Sequence, residues 1–169
     1  MKKNILMVIV LFLLVQTIKA QAYSDRPLKF GIGAVAGLPM SDAKSFYNLA
    51  YGLDVLGEYR VSPAFAFTAD GCFGAFTKKS TEIHNQKLIY GLAGIKYFTA
   101  DIVYFQLQAG ISIMQSTGTS TTFIAAPSIG VNITPDIDLS VKYQAQIEKG
   151  YNYPYIGLRL GVKFLSINL

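Results

Sequence analysis

The residues able to do chemistry in this chain are few, and they share a pattern. Asp54, Glu58, Asp70, Lys142 and Arg159 all sit in stretches where polar and apolar residues alternate. In an extended strand alternate side chains share a face, so these charges point one way and their apolar neighbours the other. Carboxylates and cations gathered on one sheltered face can neutralise one another as a packed polar core. They can also pass a proton or a small ion, since buried charges in membranes are often functional. By the same phasing the polar face holds five cations (Lys29, Arg60, Lys142, Arg159, Lys163) and five acids (Asp54, Glu58, Asp70, Asp138, Glu148). Such a balance points to a self-neutralising filling more than to a selective channel.

A hairpin turning on Ser62 places Asp54 directly opposite Asp70. Two opposed carboxylates repel, so they need cations or a shared proton. Lys142 and Arg159 fall at a similar depth on the last two strands. We therefore expect a network of Asp54, Glu58, Asp70, Lys142 and Arg159.

The other candidates are weaker. His84 lies near Ser80 and Glu82, a grouping that could serve a lipid-trimming enzyme, but in a loop with no strand to orient it. Gly31-x-Gly33-x-x-x-Gly37 has the look of a phosphate loop, yet it lies within a strand and opens no helix. Lys78 and Lys79 could touch an anionic sugar-lipid. With one Cys and one His in 169 residues, a Cys-based zinc site and a disulfide scaffold are excluded. We expect no cofactor and no metal.

The elements that position these residues are strands. Residues 1–20 read as a secretory signal: basic Lys2-Lys3, an apolar run Ile5–Val15, and small-x-small Ala20-Gln21-Ala22, with cleavage after Ala20 or Ala22 both open. The run is short for a membrane helix. Three of the 15 basic residues (Lys2, Lys3, Lys19) leave with it, so 12 then face 10 acids. No basic stripe remains for nucleic acid.

After the signal, apolar residues recur at every second position. Val103, Phe105, Leu107, Ala109, Ile111 and Ile113 form one such series, and Ile137, Leu139, Val141, Tyr143, Ala145 and Ile147 another. Eight strands are predicted, at 28–38, 49–61, 64–76, 87–98, 102–114, 121–134, 136–148 and 153–165. They exceed the ~5–6 residues usual in soluble proteins and match the ~9–11 that cross a bilayer at a tilt. Connections alternate long and short: 39–48, 77–86, 115–120 and 149–152 against 62–63, 99–101 and 134–136. Longer loops on one side and tight turns on the other are expected of a transmembrane barrel, with both termini on the turn side.

Glycines such as Gly33, Gly37, Gly130 and Gly161 fall on the polar face, where a narrow lumen needs small residues. Bulky Phe30, Leu53, Phe67, Phe73, Phe105 and Phe164 fall on the other, facing lipid. An open sheet edge is intolerable in hydrocarbon, so the first strand must pair with the last. Pro127 removes one ladder bond and is expected to give a local bulge or a widened register, and Lys96 is placed inward.

The stretch Pro127-Ser-Ile-Gly-Val-Asn-Ile-Thr-Pro135, the following Asp-Ile-Asp-Leu-Ser-Val-Lys-Tyr143 and the closing Tyr155-Ile-Gly-Leu-Arg-Leu-Gly-Val-Lys-Phe164 resemble the small outer-membrane β-barrel proteins common in Bacteroidota. The resemblance spans the mature chain, 21–169. It implies an all-β, eight-stranded antiparallel up-and-down barrel of OmpA/OmpX type. It also implies an outer-membrane location, a monomer, contact with outer-membrane lipid and handling by the barrel-insertion machinery. The family tends to end in an aromatic residue; this chain runs past Phe164 to Leu169. Either Leu169 serves as the insertion signal or Phe164 is the effective terminus. The expected role is non-enzymatic, structural or surface-interacting. The alternatives are a narrow channel, a lipid-modifying enzyme and a soluble lipocalin-like binder.

Overall fold

Alternation of this length leaves one fully paired solution, a sheet rolled onto itself. The computed structural model describes residues 28–80, 86–99, 102–115, 119–148 and 151–167. The signal segment, Glu82 and His84 lie outside the described residues, as does the side chain of Glu148. The long strands are β1 (Leu28–Pro39), β2 (Tyr47–Arg60), β3 (Phe65–Lys78), β4 (Gln86–Phe98), β5 (Val103–Gln115), β6 (Thr119–Asn132), β7 (Ile137–Glu148) and β8 (Tyr155–Ile167). A two-residue strand, Tyr151–Asn152, pairs back on the end of β7, and a single helical turn, α1 (Ala43–Phe46), lies between β1 and β2.

Each long strand pairs antiparallel with its sequence neighbours, and β1 pairs with β8 to close the barrel. Following the register once round the barrel from Lys29, and carrying the β6–β7 register through its lapse at Ala126, returns to β1 at Pro39, ten residues along. A stagger of this kind accompanies strands tilted by about 35–45°. Both ends of the barrel chain, at Leu28 and Ile167, pair with each other at the short-turn end.

The three short turns share one construction. The amides of Val61, Thr99 and Ile133 donate to the carbonyls of Phe65, Val103 and Ile137. In two of them a hydroxyl before proline completes the turn: Ser62 Oγ accepts from the Phe65 amide at 3.0 Å, and Thr134 Oγ1 from the Ile137 amide at 3.0 Å. Proline at the second turn position is pre-set for this geometry. This corrects the expected pivot. The β2–β3 hairpin turns on Pro63, not Ser62, so Asp54 pairs with Cys72 and Asp70 with Leu56.

Other expectations also need correction. The loop expected at 115–120 shrinks to 116–118, because Gln115–Thr119 and Met114–Ser120 continue the ladder. It is shorter than the turns at the other end, so the sorting of loops by length is only partial. Pro127 opens the ladder locally, as the widened-register alternative has it, without a bulge. The β6–β7 ladder lapses at Ala126 and Pro127 and resumes at Ser128 in the same register; a missing amide removes one bond without adding a residue. Register shifts fall elsewhere: between β2 and β3, where Tyr47 pairs with Lys78 and Leu49 with Thr77, and between β1 and β8, where Phe30 pairs with Leu165 and Gly31 with Lys163. Phe164 is the extra residue there, exposed at the bulge, and the strand continues to Ile167.

Orientation follows the predicted phase. Phe105, Val141 and Leu158 face outward, while Gln106, Lys142 and Arg159 are buried. Lys96 is 1% exposed and inward, and Tyr97 is outward. The outer band of Ile32, Leu53, Phe67, Phe73, Leu107, Ile111 and Leu160 would be a severe liability in water. One test of this face is depth-dependent. Leu107→Arg, mid-strand, is expected to destabilise the barrel by about 2–4 kcal/mol, against about 0–1 for Thr121→Arg near the loop rim. Urea unfolding in phospholipid vesicles reads both, and equal costs would contradict a bilayer around this band.

Candidate functional site: the luminal ion-pair network

The lumen is filled in two storeys. Toward the short turns lie eight buried charges: Asp54, Glu58, Asp70, Asp138, Lys96, Lys142, Arg159 and Lys163. Among the described residues the two buried signs are equal in number. Toward the loops lies an apolar cluster that includes Val35, Tyr47, Phe76, Leu88, Tyr90, Ile124 and Tyr155.

Arg159 is the hub. Its Nε and Nη2 donate to both oxygens of Asp54, at 2.8 and 2.6 Å, and its Nη1 donates to Asp138 Oδ1 at 2.9 Å. The fork on Asp54 is the bidentate geometry that only arginine supplies. Tyr104 also donates its hydroxyl to Asp138 Oδ1, at 3.0 Å. The Tyr104 ring in turn lies 3.8 Å under the Lys96 ammonium. Lys96 donates to Glu58 at 2.7 Å, and Lys163 reaches the same carboxylate at 3.2 Å. One continuous chain therefore runs Asp54–Arg159–Asp138–Tyr104–Lys96–Glu58–Lys163 across five strands. Each charge meets its opposite, which offsets the several kcal/mol lost on burying an ion.

Backbone geometry makes room for the hub. Gly33 and Gly161 are paired across β1 and β8. A Cβ on Gly33 would lie 2.7 Å from Arg159 Nη2 and 2.7 Å from Asp54 Oδ1. One on Gly161 would collide with Arg159 Nη1 and come within 2.8 Å of Asp138 Oδ2. The guanidinium lies against two bare backbones.

The structure brings Asp54 and Arg159 together, but it separates Asp70 from them. Among the described residues Asp70 meets Lys142 alone, at 3.4 Å, and its Oδ1 has no hydrogen-bond partner. The cause is the two-residue change in register described above. Glu58 joins through Lys96 and Lys163 rather than through Lys142 or Arg159. Lys29 and Arg60 lie only partly buried at the turn end, on Pro135 and Pro63 carbonyls. Sequence reasoning left Asp138, Lys163, Lys96 and Tyr104 out of the network. The signal for the first two was a spacing of four: Asp54/Glu58, Asp138/Lys142 and Arg159/Lys163 each stack two charges on one face.

The loop-side storey was not foreseen, since the lumen was expected to be polar throughout. Tyr47 and Phe76 rings sit 5.2 Å apart, Phe76 meets Tyr155 edge-on at 6.1 Å, and Tyr153 closes on Tyr47 at 6.4 Å. Tyr155 donates its hydroxyl to Gln144 Oε1 at 2.9 Å. At the turn end Phe98 and Tyr104 form a smaller lid, with the Arg60 guanidinium 3.9 Å over Phe98. An eight-stranded lumen is just wide enough to be filled by side chains, and apolar ones carry no hydrogen-bond demand.

Among the described residues no three His, Cys, Asp or Glu side chains gather as a metal cage. Ser80 is described, but its expected neighbours Glu82 and His84 are not.

Among solved structures, the chain is similar to Ail, the attachment invasion locus protein of Yersinia pestis, with a TM-score of 0.62 at 14% identity, covering 81% of this chain and 97% of Ail. The shared fold decides the class. This chain folds as a small outer-membrane-type β-barrel. The barrel is also similar to the N-terminal domain of Pseudomonas aeruginosa OprF (TM-score 0.57, 13% identity, 82% and 98% covered). The outer-membrane enzyme PagL shares the fold as well (TM-score 0.59, 12% identity, 78% and 98% covered). One barrel architecture thus serves an enzyme and other proteins, and the fold does not choose between them. No family model and no curated protein matches the chain by sequence.

Proposed function

We propose that this protein is a non-enzymatic, monomeric barrel of the outer membrane. Its lumen is closed, its termini face the periplasm, and it acts in envelope structure or in surface contact through its loops. The observation that carries this reading is the double closure of the lumen. An aromatic and aliphatic plug on the loop side, Tyr47–Phe76–Tyr155, lies above a charge-balanced network centred on Arg159. Conduction needs either a wetted path or a ladder of exchangeable sites. Here cations and acids hold each other, and apolar rings block the axis. Asp54, Glu58, Asp70, Lys142 and Arg159 then serve as structural residues of the barrel core.

The outer-membrane location draws support from the apolar outer band and from the fold shared with Ail and OprF. The Bacteroidota affinity rests on the sequence motifs alone. Lipid of the outer membrane surrounds the band, and the insertion machinery delivers the barrel there.

Purified protein in planar bilayers is expected to give no unit conductance above the protein-free membrane. Resolved opening steps in the unaltered protein would replace this reading with the channel. The same preparation should run compactly on a gel until boiled and should resist carbonate extraction; release by carbonate would return the protein to the soluble class.

A further inference from the structure

At the loop-side rim a cavity of about 480 Å³ opens beside α1, lined among others by Leu38, Met40, Ser41, Lys44, Lys79 and Ile156. We infer that this cavity binds a phosphate-bearing lipid, with its headgroup on Lys44 and Lys79 and its acyl chain along Leu38 and Ile156. The inference rests on the membrane-barrel reading and adds a ligand to it.

The argument begins at the floor. Leu38 and Ile156 are paired neighbours on β1 and β8 and are both exposed on the outer face. Ala36 and Leu158, the next outward pair below, continue that strip down the barrel. A ligand resting there touches the same surface that hydrocarbon touches, so a purely polar solute fits it poorly.

The upper wall has the opposite chemistry. The Lys79 ammonium donates to the Lys44 carbonyl, and the Lys79 amide donates to the Phe46 carbonyl at 3.0 Å. Both bonds tie the end of β3 to α1 and hold the ammonium at the cavity. An ammonium has three donors, and among the described residues no acidic side chain lines the cavity to take the others. Lys44 is exposed on the same wall. Around the rim Lys78 and Lys87 add positive charge, and Asp42 is exposed and outside the lining. Ser41 lines the cavity with φ at 50°, a left-handed backbone uncommon for a residue other than glycine.

Apolar below and cationic above is the arrangement that an anionic amphiphile matches. The volume falls within the range of ligand pockets and exceeds what a bare phosphate ion fills. Interfacial lysines reach headgroups in this way, and each near an anionic surface is worth about fivefold in affinity.

The test titrates the full protein, held in neutral detergent, with phosphatidic acid and counts bound lipid by native mass spectrometry. Phosphatidylcholine and inorganic phosphate are the comparison probes. Phosphatidic acid is expected to bind tightest, and Lys44→Gln/Lys79→Gln to weaken it about 20-fold. Lys87→Gln, which removes the same kind of charge from the rim but not from the cavity, should change affinity less than about twofold. The inference is overturned if the double variant binds as wild type does, or if Lys87→Gln weakens binding as much. It is also overturned if inorganic phosphate displaces the lipid at equal concentration, which would make this a soluble-anion site. Gel mobility before boiling is read on every sample. A compact barrel without lipid preference removes the site and leaves the fold standing, whereas loss of the compact form removes the barrel reading itself.

Discussion

Replacing Arg159 with methionine is expected to be among the most damaging single changes to this barrel, costing about 3–5 kcal/mol. Methionine keeps the aliphatic stem but stops short of the guanidinium tip, so the change removes the charge and three hydrogen bonds with little of the packed stem. Arg159 satisfies both oxygens of Asp54 and one of Asp138, and all three residues are buried. Removing the cation leaves two carboxylates without their counter-charge, and breaking a buried pair by deleting one partner carries costs of this size. The measurement is urea unfolding in phospholipid vesicles, together with the temperature at which the compact gel band is lost. The triple change Arg159→Met/Asp54→Leu/Asp138→Asn should recover much of the loss, because replacing a whole buried ion cluster is often neutral. The side-chain amide introduced by Asp138→Asn would keep an acceptor for the Tyr104 hydroxyl. An Arg159→Met protein as stable as wild type would show that the network holds nothing together.

Gly161→Val should be the second severe change, although it touches no charge. Its added carbons occupy the space of Arg159 Nη1 and of Asp138 Oδ2. The far end of an arginine can usually move aside, but this one is held by three hydrogen bonds. Overpacking costs about 1–3 kcal/mol, and weakening the fork on Asp54 adds to it. The two effects can be separated by a double-mutant cycle. In the Arg159→Met background the guanidinium is absent, so Gly161→Val should cost at least about 1 kcal/mol less than it does in wild type. Additive costs would mean that the glycine matters for the backbone alone and not as the floor of the arginine site.

Much of this architecture was legible because a strand announces itself locally. Alternation at period two in 103–113 and 137–147 set which side chains share a face, and a slip of one residue would have turned the outward Phe and Leu inward and the glutamines, glycines and charges outward. Strand number, antiparallel order, outward Phe105 and Leu158 and inward Lys142 and Arg159 all follow from that periodicity. The need to pair β1 with β8 follows from the absence of water in hydrocarbon. Where the alternation blurs, as at Ile89-Tyr90 and Phe123-Ile124, both faces are apolar. Those are the segments that build the loop-side plug, and the pattern alone did not reveal it.

What the sequence determined by itself, then, is orientation: which side chains meet lipid and which meet the axis. Which inward charges touch was decided only by the tertiary structure. A turn pivoting on Pro63 instead of Ser62 moves Asp70 away from Asp54, and the stagger of ten residues carries β7 and β8 to the depth where Arg159 bridges Asp54 and Asp138. Facing is a property of neighbouring residues along one chain. Depth is accumulated over every turn and register around a closed barrel, so a two-residue difference in one hairpin reassigns partners across the lumen.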